Sequence, residues 1–131
     1  MKDHKEMTNA EYTPLAVEIT VSNFERSLSF YQDKLGFEVA RIYKDEQYTF
    51  ASLFFNGSLL MIKQDDRVAK PKNPIIQIRF IFSNVEELNQ YYEKIKKNGM
   101  KIYKPLERQY YGLYRFSVED PDGYEIKFGA K

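Results

Sequence analysis

The sequence predicts an α+β fold built from two copies of a strand–helix–strand–strand–strand unit in a pseudo-twofold arrangement. Two stretches each begin with a helix-capping pattern that precedes an apolar helical stripe. Alternating apolar and polar stretches, which are typical of half-buried strands, follow each predicted helix. Four identities recur between the halves at an offset of 61 residues: Ser22/Ser83, Asn23/Asn84, Glu25/Glu86 and Tyr31/Tyr92. Since a solenoid needs three or more repeats, two copies favour a paired domain.

Module one is predicted over residues 13–63, after a solvated tail over 1–12 that contains the only histidine, His4. Its first strand, Leu15–Val21, alternates apolar and polar residues. The capping box Ser22-x-x-Glu25 predicts the start of a helix, which a glycine at position 36 ends. Three strands follow at 37–43, 48–55 and 58–63, and the pair Asn56-Gly57 is a strong hairpin signal between the last two.

Module two is predicted over residues 75–131, after a charged linker over 64–74 that carries two prolines. A strand over 75–82 leads into the second capping box and a helix that ends near residue 99. Strands are then expected at 100–103, 110–118 and 124–128. The turn Asp120-Pro121-Asp122-Gly123 precedes the last strand, with proline and glycine at the positions that such a turn favours. Residues 13–131 are thus expected to form one domain.

Composition excludes several classes of protein. The chain has 131 residues, of which 20 are basic and 19 acidic, so its net charge is +1 and it lacks the basic character typical of nucleic-acid or anionic-membrane binding. It has no cysteine, hence no disulfide framework, thiolate metal site or thiol nucleophile. The polar start and the absence of a long apolar run predict a cytoplasmic protein with no membrane partner.

The stretch from Val21 to Phe37, V-S-N-F-E-R-S-L-S-F-Y-Q-D-K-L-G-F, resembles the first-module signature of the vicinal oxygen chelate superfamily. This group includes glyoxalase I, extradiol dioxygenases, and fosfomycin- and bleomycin-resistance proteins. The segment from Asp120 to Phe128 resembles the family's second signature. The resemblance covers the chain after residue 12. It implies two βαβββ modules whose mixed sheets curl around a groove, with the helices outside.

In enzymatic members of this family a divalent metal lies in the groove, held by residues of the first and fourth strands of each module. The resemblance places these positions at Ala16 and Gln77 on the first strands. On the fourth strand of module one the candidates 60–62 are all apolar, with Met61 the best placement. Only Glu125 remains a typical ligand. Because zinc and non-haem iron need three or more strong donors, we expect no metal and no cofactor.

Strand alternation places several charged side chains beside Gln77 and Glu125 in the expected groove. These are Glu18 from the first strand, Arg79 from the fifth and Lys127 from the eighth. The repeat offset makes Glu18 and Arg79 equivalent, so the two form either an internal salt bridge or ligand contacts. Glu125 is either a groove carboxylate paired with a cation or a surviving ligand of a degenerate metal site. Desolvation in an aromatic pocket would raise its pKa and suit it to acid–base work, although the sequence offers no second catalytic residue.

Aromatic side chains are also expected to line the predicted groove. Tyr48 and Phe50 lie on one predicted wall, and Tyr111, Tyr114 and Arg115 lie on the other. Tyrosine combines an apolar ring with a polar tip, which suits a small-molecule pocket. The alternative is that many of these rings belong to the core.

We expect a non-catalytic, metal-free protein that binds a small molecule, as in the bleomycin-resistance branch. The mixed charge of the groove argues against a cationic drug as its ligand. The resemblance implies a homodimer, with exchange of modules between subunits as a common variant. Two alternatives stay open: a divergent lyase or isomerase of glyoxalase type that uses Gln77 and Glu125 as residual ligands, and a structural or regulatory dimer with a collapsed groove.

Overall fold

The computed structural model describes residue 11, residues 13–65 and residues 76–131; the rest of the chain lies outside the described residues. It divides into two compact units, Met1–Lys70 and Pro71–Lys131. Each unit pairs a helical segment with a four-stranded mixed sheet, which confirms the predicted α+β fold of two βαβββ modules. Among the described residues no helix is long and apolar enough to cross a membrane.

In chain order the elements of the first unit are β1 Ala16–Val21, α1 Phe24–Ser29, β2 Glu38–Lys44, β3 Thr49–Phe55 and β4 Ser58–Gln64. The strand order is β1-β4-β3-β2, with β1 parallel to β4 and the other pairs antiparallel. Apolar side chains on one face of this first sheet, among them Val21, Leu53 and Ile62, are fully buried. Asn56 and Gly57 both have positive φ, 49° and 76°, and form the predicted hairpin turn.

The cap of α1 lies one residue later than predicted. The side chain of Asn23 accepts from the backbone N–H of Arg26 at 3.1 Å, whereas Ser22 lies between the end of β1 and this cap. The Ser22 carbonyl instead accepts from Gln64 Nε2 at 2.9 Å, while Gln64 Oε1 accepts from the Phe24 N–H at 2.6 Å. Gln64 is the last residue of β4, and its side chain holds the start of α1. The linker predicted over 64–74 therefore begins one residue too early.

The helical segment that follows Ser29 is a π-helical turn, Phe30–Lys34, rather than the predicted continuation of the α-helix. The Leu35 N–H donates to the Phe30 carbonyl at 3.1 Å, five residues back, and the turn ends where Gly36 takes a φ of 77°. The stripe still faces inward, with the ring of Tyr31 fully buried.

In the second unit the elements are β5 Gln77–Ile81, α2 Val85–Lys97, β6 Lys104–Arg108, β7 Tyr114–Glu119 and β8 Glu125–Ala130. The order β5-β8-β7-β6 repeats that of the first sheet, with β5 parallel to β8. Helix α2 is capped by Asn84, again one residue after the predicted serine. Its amphipathic face packs on the second sheet, where the rings of Tyr91, Phe116 and Phe128 form an aromatic core.

Two predicted strands of module two are misplaced. Residues 100–103 are not a strand, because the Met100 N–H still bonds the Ile95 carbonyl at 2.9 Å and so closes the end of α2; β6 begins four residues later than predicted. The predicted strand 110–118 begins instead at residue 114. The preceding residues form a turn in which Gly112 has a φ of 98° and donates its N–H to the Gln109 carbonyl at 2.9 Å.

Candidate functional site

The last strand, β8, places Glu125 and Lys127 on the face of the second sheet opposite α2. Its start is fixed by the turn before it, where Asp120 Oδ1 accepts from the N–H groups of Asp122 and Tyr124, each at 2.9 Å. Register adds Gln77 and Arg79 from β5, and Arg115 and Ser117 from β7. We call this surface the polar face; its central side chains are Gln77, Arg79, Arg115, Ser117, Glu125 and Lys127, and Lys104 of β6 borders it beside Ser117.

Glu125 is the buried anchor of the polar face, with 9% of its surface exposed. Its Oε2 accepts from the Ser117 hydroxyl at 2.8 Å and lies 3.2 Å from Lys104 Nζ. Its Oε1 accepts from Gln77 Nε2 at 3.3 Å. Both carboxylate oxygens are therefore held by groups of the second unit.

These partners determine the ionisation of Glu125. Burial acts to raise its pKa, but the hydrogen bonds from Ser117 and Lys104, with the positive charges of Lys104 and Lys127, together lower it below the usual range of a glutamate. The sequence-based expectation of a raised pKa is thus wrong. A carboxylate with a lowered pKa is a weak proton acceptor, so Glu125 is suited to hold charge and position rather than to act as a general base.

The register of the two sheets relates the four positions that the resemblance implies as metal ligands. Gln77 lies beside Glu125, and by the same parallel pairing Ala16 lies beside Leu59. By this register the counterpart of Glu125 in the first unit is Leu59 rather than the predicted Met61, since Met61 pairs with Glu18 two residues further along. The correction leaves the chemistry unchanged, because neither leucine nor methionine is a hard oxygen donor.

The donors at these positions do not fit the family's divalent metal. The first unit offers a methyl group and an isobutyl group there, and the second offers one amide and one carboxylate that already faces Lys104. Within the described ranges no group of three or more His, Cys, Asp or Glu residues is arranged to hold a metal ion. His4 lies outside those ranges.

The aromatic residues predicted for one groove lie in different places. Tyr114 shares the core face of β7 with Phe116, because alternate residues of a strand point to opposite faces, so it cannot accompany Arg115. Tyr111 is part of the turn before β7 and is 54% exposed. The predictions that Tyr114 and Tyr111 line the same wall as Arg115 are therefore not supported.

The remaining two predicted rings belong to the first unit. Phe50 stacks on Tyr43 at 5.4 Å, and its ring lies 4.8 Å from the guanidinium carbon of Arg41. Tyr48 precedes β3, and Lys63 Nζ lies 5.0 Å from the centre of its ring. The predicted Glu18–Arg79 ion pair would join the two units and stays a prediction; within its own unit Arg79 has no ion-pair partner among the described residues.

Sequence reasoning missed a buried cluster in the first unit. Glu11, in the predicted solvated tail, is only 2% exposed. Both of its carboxylate oxygens accept from Arg41 Nε, at 2.8 and 3.0 Å, and Oε2 also accepts from the Ser52 hydroxyl. The prediction of a solvated tail is therefore wrong at Glu11.

This cluster is the counterpart of the one around Glu125. Ser52 pairs with Met61 as Ser117 pairs with Lys127, which makes the two serines equivalent. Arg41 pairs with Ser52 as Lys104 pairs with Ser117, which makes the two cations equivalent. Each unit thus holds a carboxylate between a serine and a cation. In the second unit β8 supplies the carboxylate, whereas in the first, where the strand carries Leu59, residue 11 supplies it.

Comparisons with known proteins agree with this architecture. The family model described as the glyoxalase/bleomycin resistance protein/dioxygenase superfamily matches residues 13–128. The chain belongs to this superfamily, as the two signatures indicated.

Relatives within the superfamily carry different names. The chain is 27% identical over 124 residues to the lactoylglutathione lyase of Neisseria meningitidis, covering 86% of each protein. It resembles the crystal structure of a glyoxalase/bleomycin resistance protein/dioxygenase from Alicyclobacillus acidocaldarius, with a TM-score of 0.76, 23% identity and coverage of 95% and 94%. It also resembles the fosfomycin resistance protein FosX of Listeria monocytogenes, solved with Mn(II) and sulfate, with a TM-score of 0.68, 18% identity and coverage of 92% and 93%. At these identities the structures establish the fold alone.

Proposed function

We propose that this protein binds a small organic molecule without a metal ion, and that the polar face of the second sheet supplies the binding groups. The observation that carries the proposal is the state of Glu125, whose two oxygens are engaged by Ser117, Lys104 and Gln77. A divalent cation at this carboxylate would have to displace the ammonium group of Lys104. The only other donor at the ligand positions of this unit is a neutral amide, which is a weak ligand for zinc or iron.

Metal analysis of the purified protein tests the proposal. Glu119 lies opposite Glu125 in register and is exposed, which makes Glu119→Ala a matched control for Glu125→Ala. We expect sub-stoichiometric nickel, zinc and manganese in the wild type and in both variants. Added metal should shift the melting temperature of the three proteins equally. Stoichiometric metal in the wild type that Glu125→Ala loses and Glu119→Ala keeps would overturn the proposal.

A ligand screen tests the binding function separately. A molecule that binds the folded protein raises its melting temperature by mass action. We expect some small molecules in a chemically broad library to stabilise the wild type. If none did, a structural or regulatory role would be the better explanation of the fold.

We further propose that the protein acts as a homodimer, as the family resemblance implied. Size-exclusion chromatography with light scattering gives the mass directly, and the chain mass is 15.6 kDa. A mass near twice this value is expected at micromolar concentration. A constant single-chain mass up to the highest soluble concentration would contradict the proposal.

A glyoxalase-type lyase is the second candidate, favoured by the similarity to the lactoylglutathione lyase of Neisseria meningitidis over 86% of the chain. In this case Gln77 and Glu125 would be the residual polar groups at the reaction centre. Lyase assays with added nickel or zinc decide the point. Turnover that Glu125→Ala abolishes and Glu119→Ala preserves would favour the lyase over the metal-free binder.

A further inference from the structure

The polar face of the second sheet carries more positive than negative charge. In its middle row Arg79 pairs with Lys127 across β5 and β8, and Lys104 lies at the other end of the row, beside Ser117. Arg115 stands in the next row, opposite Gly129. Of these four cations, Lys104 and Lys127 lie close enough to the buried Glu125 carboxylate to lower its pKa.

Their charges are largely unneutralised within the described part of the chain. Lys104 pairs with Glu125, but no other described residue forms an ion pair with Arg79, Arg115 or Lys127. Two further carboxylates, Glu107 and Glu119, lie in the outer rows of the same face. Both are exposed to solvent, and neither is within ion-pair distance of the three cations.

Arg115 has an unused donor. Its Nη1 atom is buried and has no hydrogen-bond partner among the described residues. Buried guanidinium N–H groups are nearly always paired, because leaving one unpaired forfeits its hydration without compensation. Arg115 is therefore a guanidinium whose hydrogen bonds within the described residues are incomplete, and a small turn of its side chain would let a bound acceptor reach this donor.

Lys127 gives electrostatic support. Burial lowers its pKa, and the nearby positive charges of Lys104, Arg79 and Arg115 lower it further, against the opposing effect of Glu125. The pKa of an ammonium group falls in this way when its surroundings carry too little negative charge. An anion bound among these side chains would reverse the effect.

The excess of cations is particular to the second unit. In the first unit the counterparts of Arg79, Lys127 and Arg115, assigned through the same register, are Glu18, Met61 and Phe50. An acidic, a thioether and an aromatic side chain thus occupy the three places. The cations are therefore no requirement of the βαβββ fold, and their function concerns this face alone.

An apolar strip borders Arg115. Gly129 lies between Ile81 and Arg115 in one row, and Ile81 is 55% exposed. The side chain of Leu113 lies against Gly129, so close that a Cβ added at Gly129 would stand 3.1 Å from Leu113 Cδ2. Hydrocarbon surface thus lies next to the guanidinium group.

We propose that the polar face binds an organic anion, whose carboxylate or phosphate group is held by Arg79, Arg115 and Lys127 and whose apolar part rests on Ile81 and Leu113. The inference rests on the proposed binding function and adds the chemical class of its ligand. Arginine suits the anionic group because its planar fork of donors matches carboxylate and phosphate oxygens. Glu125 then acts as a positioning residue that holds Lys104 at the edge of the anion-binding site.

Four small probes of similar size test the charge of the ligand: phenyl phosphate, benzoate, benzyl alcohol and benzylamine. Their binding is followed by the NMR shifts of the backbone amides and of the Arg79 and Arg115 side-chain N–H groups. We expect saturable shifts on the polar face with the two anions, weaker ones with the alcohol and none with the amine. Added salt should weaken binding of the anions. Comparison of phenyl phosphate with benzoate identifies the preferred anionic group.

Variants that each remove one positive charge show which side chains form the anion-binding site. Arg115→Met and Lys127→Met should each weaken binding of the preferred anion by about ten-fold or more, the loss expected for one charge-assisted contact. The control is Lys97→Met on α2, an exposed lysine away from the polar face, which should bind like the wild type. Arg79 is exposed, so Arg79→Met keeps the test valid if Arg115→Met does not fold.

Each outcome separates this inference from the proposed function. The inference is wrong if neither anion shifts the polar face at millimolar concentration, or if the charge-removing variants bind anions like the wild type. It is also wrong if benzyl alcohol or benzylamine binds there as tightly as the anions, a result that would leave metal-free binding standing. The proposed function fails through a different result, stoichiometric metal held by Glu125.

Discussion

The buried pair of Glu11 and Arg41 gives the sharpest test of how the first unit is stabilised. The exposed fractions of their side chains are 0% and 3%, so neither charge is hydrated. Glu11→Ala leaves the Arg41 guanidinium buried opposite a cavity. Removing one partner of such a pair costs about 3–5 kcal/mol of unfolding free energy. For a chain of this size the melting temperature should fall by about 10–20 °C.

Urea denaturation of Glu11→Ala, Arg41→Ala and the double variant measures this directly. We expect the double variant to lose less than the sum of the single losses, with a coupling energy of about 2 kcal/mol, because no unpaired charge is left in it. The exposed pair Lys44–Glu25, with side chains 49% and 69% exposed, is the control, and Glu25→Ala should cost at most about 1 kcal/mol. If Glu11→Ala cost no more than Glu25→Ala, Glu11 would not be the partner that keeps Arg41 buried.

Three further predictions concern single side chains of the second unit. Ser117→Ala should raise the pKa of Glu125, because it removes a hydrogen bond that favours the carboxylate. A carboxylate with a lowered pKa stabilises the fold above its unfolded-state pKa and loses this contribution as the pH falls through the folded-state value, so the variant should lose less unfolding free energy on acidification. NMR titration of the Glu125 carboxyl carbon measures the pKa, and acid unfolding measures the change in stability. An unchanged pKa would contradict the expected rise. Gly129→Ala should cost about 1–3 kcal/mol in urea denaturation, because its methyl carbon would stand 3.1 Å from Leu113 Cδ2 and 3.2 Å from the backbone oxygen of Tyr114, and a neutral result would mean that both neighbours give way. Asn84→Ala should cost about 1 kcal/mol as the loss of a helix cap, and a smaller effect than that of Ser83→Ala would contradict the assignment of the cap.

The order of elements was predictable because it depends on local signals. Capping residues, hairpin glycines and alternation are properties of short segments, and they placed most strands within one or two residues. The prediction failed at residues 100–103, where the chain closes the end of α2 through the bond from Met100 to Ile95. A helix terminus with this extra turn carries the same short apolar pattern as a strand, so periodicity alone does not separate them.

The chemistry of the site was less predictable because it depends on register. The repeat has an offset of 61 residues up to the helices, but Arg41 and Lys104 are 63 apart and Ser52 and Ser117 are 65 apart. Turns of different length shift the counterparts, so a single offset could not pair the later strands. The same shift concealed Leu59 as the counterpart of Glu125.

The counterpart clusters connect the loss of the ligand positions to the stability of the fold. Arg41 sits in the first sheet where Lys104 sits in the second, and a buried guanidinium there requires a carboxylate. The strand position that could have supplied one is Leu59, so residue 11 supplies it from before β1. The carboxylate of the first unit is therefore committed to structure. In the second unit Lys104 is partly exposed, Glu125 lies within its own strand, and three further cations form no ion pair with any described residue. Two sheets of one topology thus differ in charge, because the first neutralises its cation internally whereas the second leaves three cations without an ion pair among the described residues.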